Sequence, residues 1–189
     1  MRKLVVHEFI SLDGVIQAPG GPTEDTDGGF TAGGWTRSYW HDEIGAHFGQ
    51  VVMEADALLL GAKTWQIHGA FFGPNPAQDP FGPMKKYVVS HTLKSVDLWQ
   101  NSTLLSGNVI DQVRNLKDQP GKDIILDGSS VLVHALIEND LVDVYLLHVY
   151  PVVLGIGKRL FPPGKQVNLK LVESSTVPTG VVYLRYQPA

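Results

Sequence analysis

The sequence predicts an α/β fold: a mainly parallel central sheet between two layers of helices, closed by a C-terminal antiparallel hairpin. Three observations carry this prediction. Short runs rich in Leu, Val and Ile recur at residues 4–10, 57–60, 86–90, 103–105, 123–126 and 142–149. Between several of them apolar residues return at helical spacing, over residues 40–55, 109–116 and 131–138. Strands that alternate with helices build a parallel sheet covered on both faces. Last, the runs 169–174 and 181–186 flank Pro178-Thr179-Gly180, a turn signal, and read as a hairpin.

Taken in order, the first strand ends at Ser11-Leu12-Asp13-Gly14. Residues 17–34 are rich in Gly, Pro, Thr and Asp and carry little periodic apolar content. A loop of that length inside a compact domain is functional or mobile, and residues 20–34 are a candidate lid. The helix at 40–55 places Ile44, Phe48, Val51 and Val52 on one face. The strand at 57–60 stops at Gly61, a short helix follows at 64–68, and 72–83 is a Pro/Gly loop. The second half is more regular, each strand being followed by a turn residue and then a helical pattern. No internal repeat and no linker divides the chain, so residues 1–189 read as one domain.

Composition narrows the function. A formal net charge of -4, with no basic cluster interleaved with aromatics, argues against holding nucleic acid by phosphate neutralisation. Without cysteine there is no disulfide framework, thiol nucleophile or cysteine metal site. The first nine residues are too short and too soon interrupted for a signal peptide, and no apolar run reaches membrane-spanning length; a cytoplasmic protein is expected. The seven histidines lack ligand spacing, so no metal is expected. His148, in an apolar strand, reads as a satisfied core or cleft histidine. No G-x-S-x-G elbow and no G-x-G-x-x-G fingerprint is present.

Ligands of open α/β sheets bind beyond the carboxyl ends of the strands. Here those ends read Ser11-Leu12-Asp13-Gly14, Gly61-Ala62-Lys63-Thr64-Trp65, Ser90-His91-Thr92, Ser106-Gly107-Asn108 and Asp127-Gly128-Ser129-Ser130-Val131. Glycine lets a ligand approach the backbone, Ser and Thr donate to phosphate oxygens, and Lys63 and His91 add positive charge. The same residue types serve as turns and caps; their recurrence at strand after strand is what favours a nucleotide. The last end is the most telling. A strand breaks on Gly128 and turns into a helix, which aims free N–H groups and the positive end of a helix dipole at the end of the sheet. Asp13 is the candidate catalytic residue, because a carboxylate at a strand end can orient a substrate or relay a proton. Asp42 and Glu43 open a helix, where acids are stabilising in any case.

Ser11-Leu12-Asp13-Gly14, Leu59-Leu60-Gly61-Ala62-Lys63-Thr64-Trp65 and Val88-Val89-Ser90-His91-Thr92-Leu93 together resemble the dihydrofolate reductase superfamily. Leu141-Val142-Asp143-Val144-Tyr145, followed by Tyr150-Pro151-Val152-Val153-Leu154-Gly155-Ile156-Gly157-Lys158-Arg159-Leu160-Phe161, is similar to the C-terminal reductase domain of the bifunctional riboflavin biosynthesis enzyme and to its stand-alone bacterial relatives. The ending Gly180-Val181-Val182-Tyr183-Leu184-Arg185-Tyr186 also fits, so the resemblance spans essentially the whole chain. It implies a dihydrofolate reductase-like three-layer α/β/α domain, NADPH as hydride donor, a homodimer, and reduction of a small heterocyclic or carbonyl substrate. Within the family the reaction is reduction of 5-amino-6-(5-phosphoribosylamino)uracil. Carried over by position, Gly61, Lys63 and Thr64 would lie by the cofactor's phosphates, with Gly107 also on the cofactor's side. Ser90, His91 and Thr92 would lie near the adenosine 2′-phosphate. Gly128, Ser129 and Ser130 would cradle the pyrophosphate, flanked by Asp127 and Val131. Asp13 and Gly14 would border the nicotinamide and substrate.

Three departures stand out. Ala62 replaces an arginine that helps select the 2′-phosphate. Ser129 replaces the second glycine of a pair, and is strained if its φ is positive. Leu147 stands where true dihydrofolate reductases have a threonine, so folate is not the expected substrate. No dedicated basic pocket for a ribosyl phosphate is legible. Ala62 and Ser129 favour the alternative, a nucleotide-binding or regulatory protein that keeps the fold without turnover.

Overall fold

The computed structural model describes residues 1–189. Its regular elements are β1 (Leu4–Ser11), α1 (Asp42–Glu54), β2 (Ala55–Gly61), α2 (Ala62–Phe72), β3 (Lys85–Val89), β4 (Ser102–Leu105), α3 (Val109–Asp118), β5 (Asp123–Asp127), α4 (Ser130–Glu138), β6 (Val144–Tyr150), β7 (Leu169–Thr176) and β8 (Val182–Pro188). One sheet of eight strands runs in the order β4-β3-β2-β5-β1-β6-β8-β7. Pairings from β4 across to β6 are parallel; β8 lies antiparallel to β6, and β7 antiparallel to β8. The expected mainly parallel sheet with a C-terminal hairpin is thus present, and the hairpin reaches the body of the sheet through its second strand.

Side-chain alternation sorts the helices into layers. Leu4 and Val6 of β1, Leu59 of β2 and Ile124 and Leu126 of β5 pack with Val113 and Leu116 of α3 and with Leu132, Val133, Leu136 and Ile137 of α4. The intervening residues Val5, Leu58, Leu60 and Ile125 pack the other way, with Val51 of α1 and Trp65 of α2. This is the three-layer α/β/α arrangement. Within it Glu8 follows Val6 toward the α3/α4 layer, whereas His7 contacts Phe48 of α1 and His148 of β6. No helix is long and apolar enough to cross a membrane.

Helix α2 departs most from the sequence reading. It begins at Ala62 and runs to Phe72, well beyond the expected 64–68. Gly69 made the pattern look shorter, since glycine weakens a helix interior by about 1 kcal/mol. Packing is tight there: a Cβ at Gly69 would lie 3.0 Å from Leu98 Cγ, so any larger residue would push that side chain aside. Tertiary packing overrides propensity at this point.

Candidate functional site

Register creates the site. His7 pairs with Asp127, the last residue of β5, whereas β1 continues through Ser11 beside β6 alone. Gly128 then breaks the strand, and the chain turns into α4. The carboxyl ends of β1, β2 and β5 therefore surround a depression made of two adjoining clefts. They share Asp25, Lys63, Thr64, Ser129, Ser130 and Lys158.

The larger cleft, of about 550 Å³, lies over the N-terminus of α4 and runs from Gly61–Thr64 past Ser90 and His91 to Gly107 and Asn108. Its central feature is an open helix end. Ser129, at the N-cap, is left-handed (φ 63°, ψ 55°) and does not cap its own helix. Its hydroxyl accepts the Gly61 N–H at 2.7 Å and donates to Thr64 Oγ1 at 2.9 Å, joining β2, α2 and α4. The N–H groups of Ser130, Val131 and Leu132 meet no backbone or side-chain acceptor. A helix N-terminus carries about +0.5 of a charge, so this cleft favours an anion. Gly128 is required on two counts: its φ is 63°, and a Cβ there would lie 2.9 Å from Thr64 Oγ1.

The smaller cleft, of about 310 Å³, is aromatic and acidic. Phe48, Phe72 and Phe81 stand edge to face, with His68 stacked parallel on Phe81 at 6.0 Å. Trp40 and Phe9 also line it. Asp127 reaches His7 Nδ1 at 3.5 Å and His68 Nε2 at 3.6 Å. Burial opposes its ionisation, but the His7 and His68 rings beside it prevail and hold it below the ordinary carboxylate value. Glu8 is the reverse case. It is 3 % exposed, and its Oε1 has no partner. Burial pushes it well above the ordinary value, Asp127 adds to the rise, and the Gly128 N–H works against it. Two neighbouring carboxyls are thus driven in opposite directions, Asp127 toward its ionised form and Glu8 toward its protonated form.

The sequence-derived candidates fall into three groups. Gly61, Lys63, Thr64, Ser90, His91, Gly107, Ser129, Ser130 and Val131 line the larger cleft; Asp127 and Gly128 line the smaller. Thr92 lines neither, because it sits in a turn where the Ser90 hydroxyl accepts the N–H groups of Thr92 and Leu93. Asp13 and Gly14 also lie outside both clefts. The Asp13 carboxylate accepts from Ser11 Oγ at 2.7 Å, Leu154 N–H at 3.1 Å and Gly155 N–H at 2.8 Å. The hydroxyl bond and these two N–H groups lower it to about 2, against a smaller opposing effect of burial. Asp13 fastens the end of β1 to the 154–155 turn, and no proton resides on it at neutral pH.

Two further expectations change. The 17–34 loop is held down at its centre: Asp25 and Asp27 bridge Lys158 at 2.6 and 2.8 Å and Lys63 at 3.6 and 2.8 Å. Lys63 therefore reaches the shared rim as one arm of an ion-pair cluster rather than as a free cation. His148 is a core histidine but not a satisfied one, since neither ring nitrogen has a partner. Burial, with His7 and His47 adding to the effect, lowers it to about 2, so it is neutral. Glu8 was not among the candidates. Its signal is a lone carboxylate inside an apolar strand, on the face that Leu4 and Val6 bury.

Comparison with known proteins agrees with this architecture. The model of the RibD C-terminal domain family matches residues 2–183. The Bacillus subtilis (strain 168) protein YyaP is 32% identical over 197 aligned residues, covering 98% of this chain and 94% of the relative. Among solved structures, a putative riboflavin biosynthesis protein from Shewanella sp. PV-4 superimposes with a TM-score of 0.79 at 20% identity, over 99% of each chain. Dihydrofolate reductase from Enterococcus faecalis, complexed with NADP(H) and RAB-propyl, superimposes with a TM-score of 0.64 at 16% identity, over 98% of this chain and 96% of that one. At these identities the two structures establish the fold, which is dihydrofolate reductase-like.

Proposed function

The chain belongs to the RibD C-terminal domain family, and we propose that it is a reductase that uses NADPH to reduce a small heterocyclic or carbonyl acceptor. The observation that carries this reading is the uncapped N-terminus of α4 over the larger cleft. The residues fit a dinucleotide. The N–H groups of Ser130, Val131 and Leu132 would hold the pyrophosphate, Gly61 and Gly128 keep the backbone approachable, and Ser90, His91 and Gly107 would border the adenosine half. When bound, NADPH supplies a hydride from its nicotinamide ring, and orientation by the protein does the rest.

The chain's own contribution is acid–base. Reduction by two electrons needs one proton beside the hydride. Glu8 lines the smaller cleft and burial drives it toward its protonated form, so in this reading it donates that proton and regains one from water. Asp127, held ionised between His7 and His68, orients the acceptor. The rings of Phe48, Phe72 and Phe81 exclude water around it.

Fluorescence titration with NADPH and NADH, reported by Trp40 at the cleft, tests the reading, followed by loss of nicotinamide absorbance with acceptor panels. We expect NADPH to bind in the micromolar range; failure of both dinucleotides to bind at about 1 mM would reject the reading. Ala62 leaves His91 as the one basic side chain by the adenosine half, so NADPH is expected to lead NADH by a modest factor. The same residue favours the second reading, a binding protein without turnover. Dinucleotide binding without hydride transfer to any acceptor supports that one.

A further inference from the structure

The two clefts differ in charge, and the difference bears on what the reductase reduces. The lysine and arginine side chains lining the smaller cleft are Lys63 and Lys158 alone. Both are committed: Lys158 to Asp25 at 2.6 Å and Asp27 at 2.8 Å, Lys63 to Asp27 at 2.8 Å and Asp25 at 3.6 Å. His7 and His68 both face Asp127. Against these stand the carboxyls of Glu8, Glu24, Asp25 and Asp127. Glu24 is fixed at the rim, its Oε2 accepting the N–H groups of Gly20 at 2.7 Å and Gly21 at 2.9 Å. Asp25 is the one carboxylate in the larger cleft, which holds the open helix end instead. Anions are thus favoured on one side of the shared rim and opposed on the other.

Shape adds a second constraint. The edge-to-face set of Phe48, Phe72 and Phe81, with His68 parallel to Phe81, walls a slot suited to a flat ring. Its ionised polar group is an acceptor, the carboxylate of Asp127, and Oε1 of Glu8 has no partner within the protein. Asp127 calls for a hydrogen-bond donor such as a ligand N–H, while a protonated Glu8 can give its proton to an acceptor on the same ligand.

Resting on the reductase reading above, we propose that the acceptor is a planar nitrogen heterocycle, uncharged or cationic, that presents N–H groups to Asp127 and carries no phosphate. Such a specificity separates this chain from the phosphoribosyl substrate that its resemblance to the riboflavin reductase implies. A phosphoryl group entering this slot would find no free cation and would face Glu24 and Asp127.

Matched probes that differ only in the phosphate test it. Calorimetry on the NADPH-saturated protein would compare 5-amino-6-(ribosylamino)uracil with its 5-phosphate, and riboflavin with riboflavin 5′-phosphate. The unphosphorylated member of at least one pair is expected to bind about tenfold more tightly or better. Glu24→Gln keeps the acceptor for Gly20 and Gly21 and removes the charge, so it should narrow that ratio by improving the phosphorylated probe alone. Equal or tighter binding of the phosphorylated members, or no binding of either unphosphorylated probe at about 1 mM, overturns the proposal. NADPH titrated into the same protein keeps the two claims apart. Loss of NADPH binding removes the reductase reading, whereas NADPH binding with a preference for phosphate removes only this specificity.

Discussion

Ser129 shows how one side chain can offset its own strain. A left-handed serine costs about 1 kcal/mol or more, and here the hydroxyl recovers it by linking Gly61 and Thr64. Ser129→Ala keeps the strain and loses both bonds, so urea unfolding should show a loss of about 1–3 kcal/mol. Ser129→Gly loses the bonds but relieves the strain, and should be the milder change. The departure from a glycine pair thus weakens the catalytic reading less than the sequence suggests. Asp13 and Glu8 make a second contrast. Asp13 lies far below its unfolded value of 3.8, so its stabilisation is present above that pH and fades as pH falls toward about 2. Asp13→Ala should cost about 2–3 kcal/mol and leave the pH profile of turnover unmoved. Glu8 lies above its unfolded value of 4.5, so its contribution to stability is full below that value and is lost as pH rises through the folded one. If Glu8 donates the proton, turnover falls over the same rise. Glu8→Gln should lower kcat by about 10²–10⁴ and abolish that alkaline limb; an unchanged limb assigns the proton elsewhere. Neither role was legible from the residues alone. By sequence Asp13 is a catalytic candidate because it ends a strand, and its anchoring to the 154–155 turn depends on a contact more than 140 residues away in sequence.

The strands and helices were largely readable because their apolar periodicity is strong and the punctuating glycines stand where strands stop. The exception, α2, teaches where local reading fails: Gly69 and Gly73 look like interruptions yet are contact points. A Cβ at Gly73 would overlap the Leu98 carbonyl oxygen. Gly73→Ala should therefore displace the end of α2 and destabilise by about 1–3 kcal/mol in thermal or urea unfolding, despite alanine's better helix propensity. The 17–34 loop was read correctly as long and irregular. Its fastening by Asp25 and Asp27 was not readable, since nothing local in the sequence pairs them with Lys63 and Lys158. High salt should loosen the more exposed bridges of that cluster first.

Over the whole molecule, function follows from where the sheet is interrupted. β5 stops at Asp127 and β1 does not, so a helix N-terminus and a buried carboxyl come to lie on either side of one gap. The positions of glycine, serine and threonine at successive strand ends marked the anion side of that gap. The acid and aromatic side escaped notice, because Phe48 read as part of a helix's apolar face, Phe72 and Phe81 fell in a Pro/Gly loop, and Glu8 read as one residue of a strand. The central claim, that the open end of α4 holds the anionic part of a dinucleotide, is tested most directly at Val131, a residue 82 % exposed at that helix end. In Val131→Asp the new carboxylate should favour the helix dipole and hold or raise stability by about 0.3–1 kcal/mol, while opposing a phosphate at the same place. The account predicts a folded protein of undiminished stability whose affinity for NADPH falls about tenfold or more; a Val131→Asp protein that binds NADPH as tightly as the parent would contradict it.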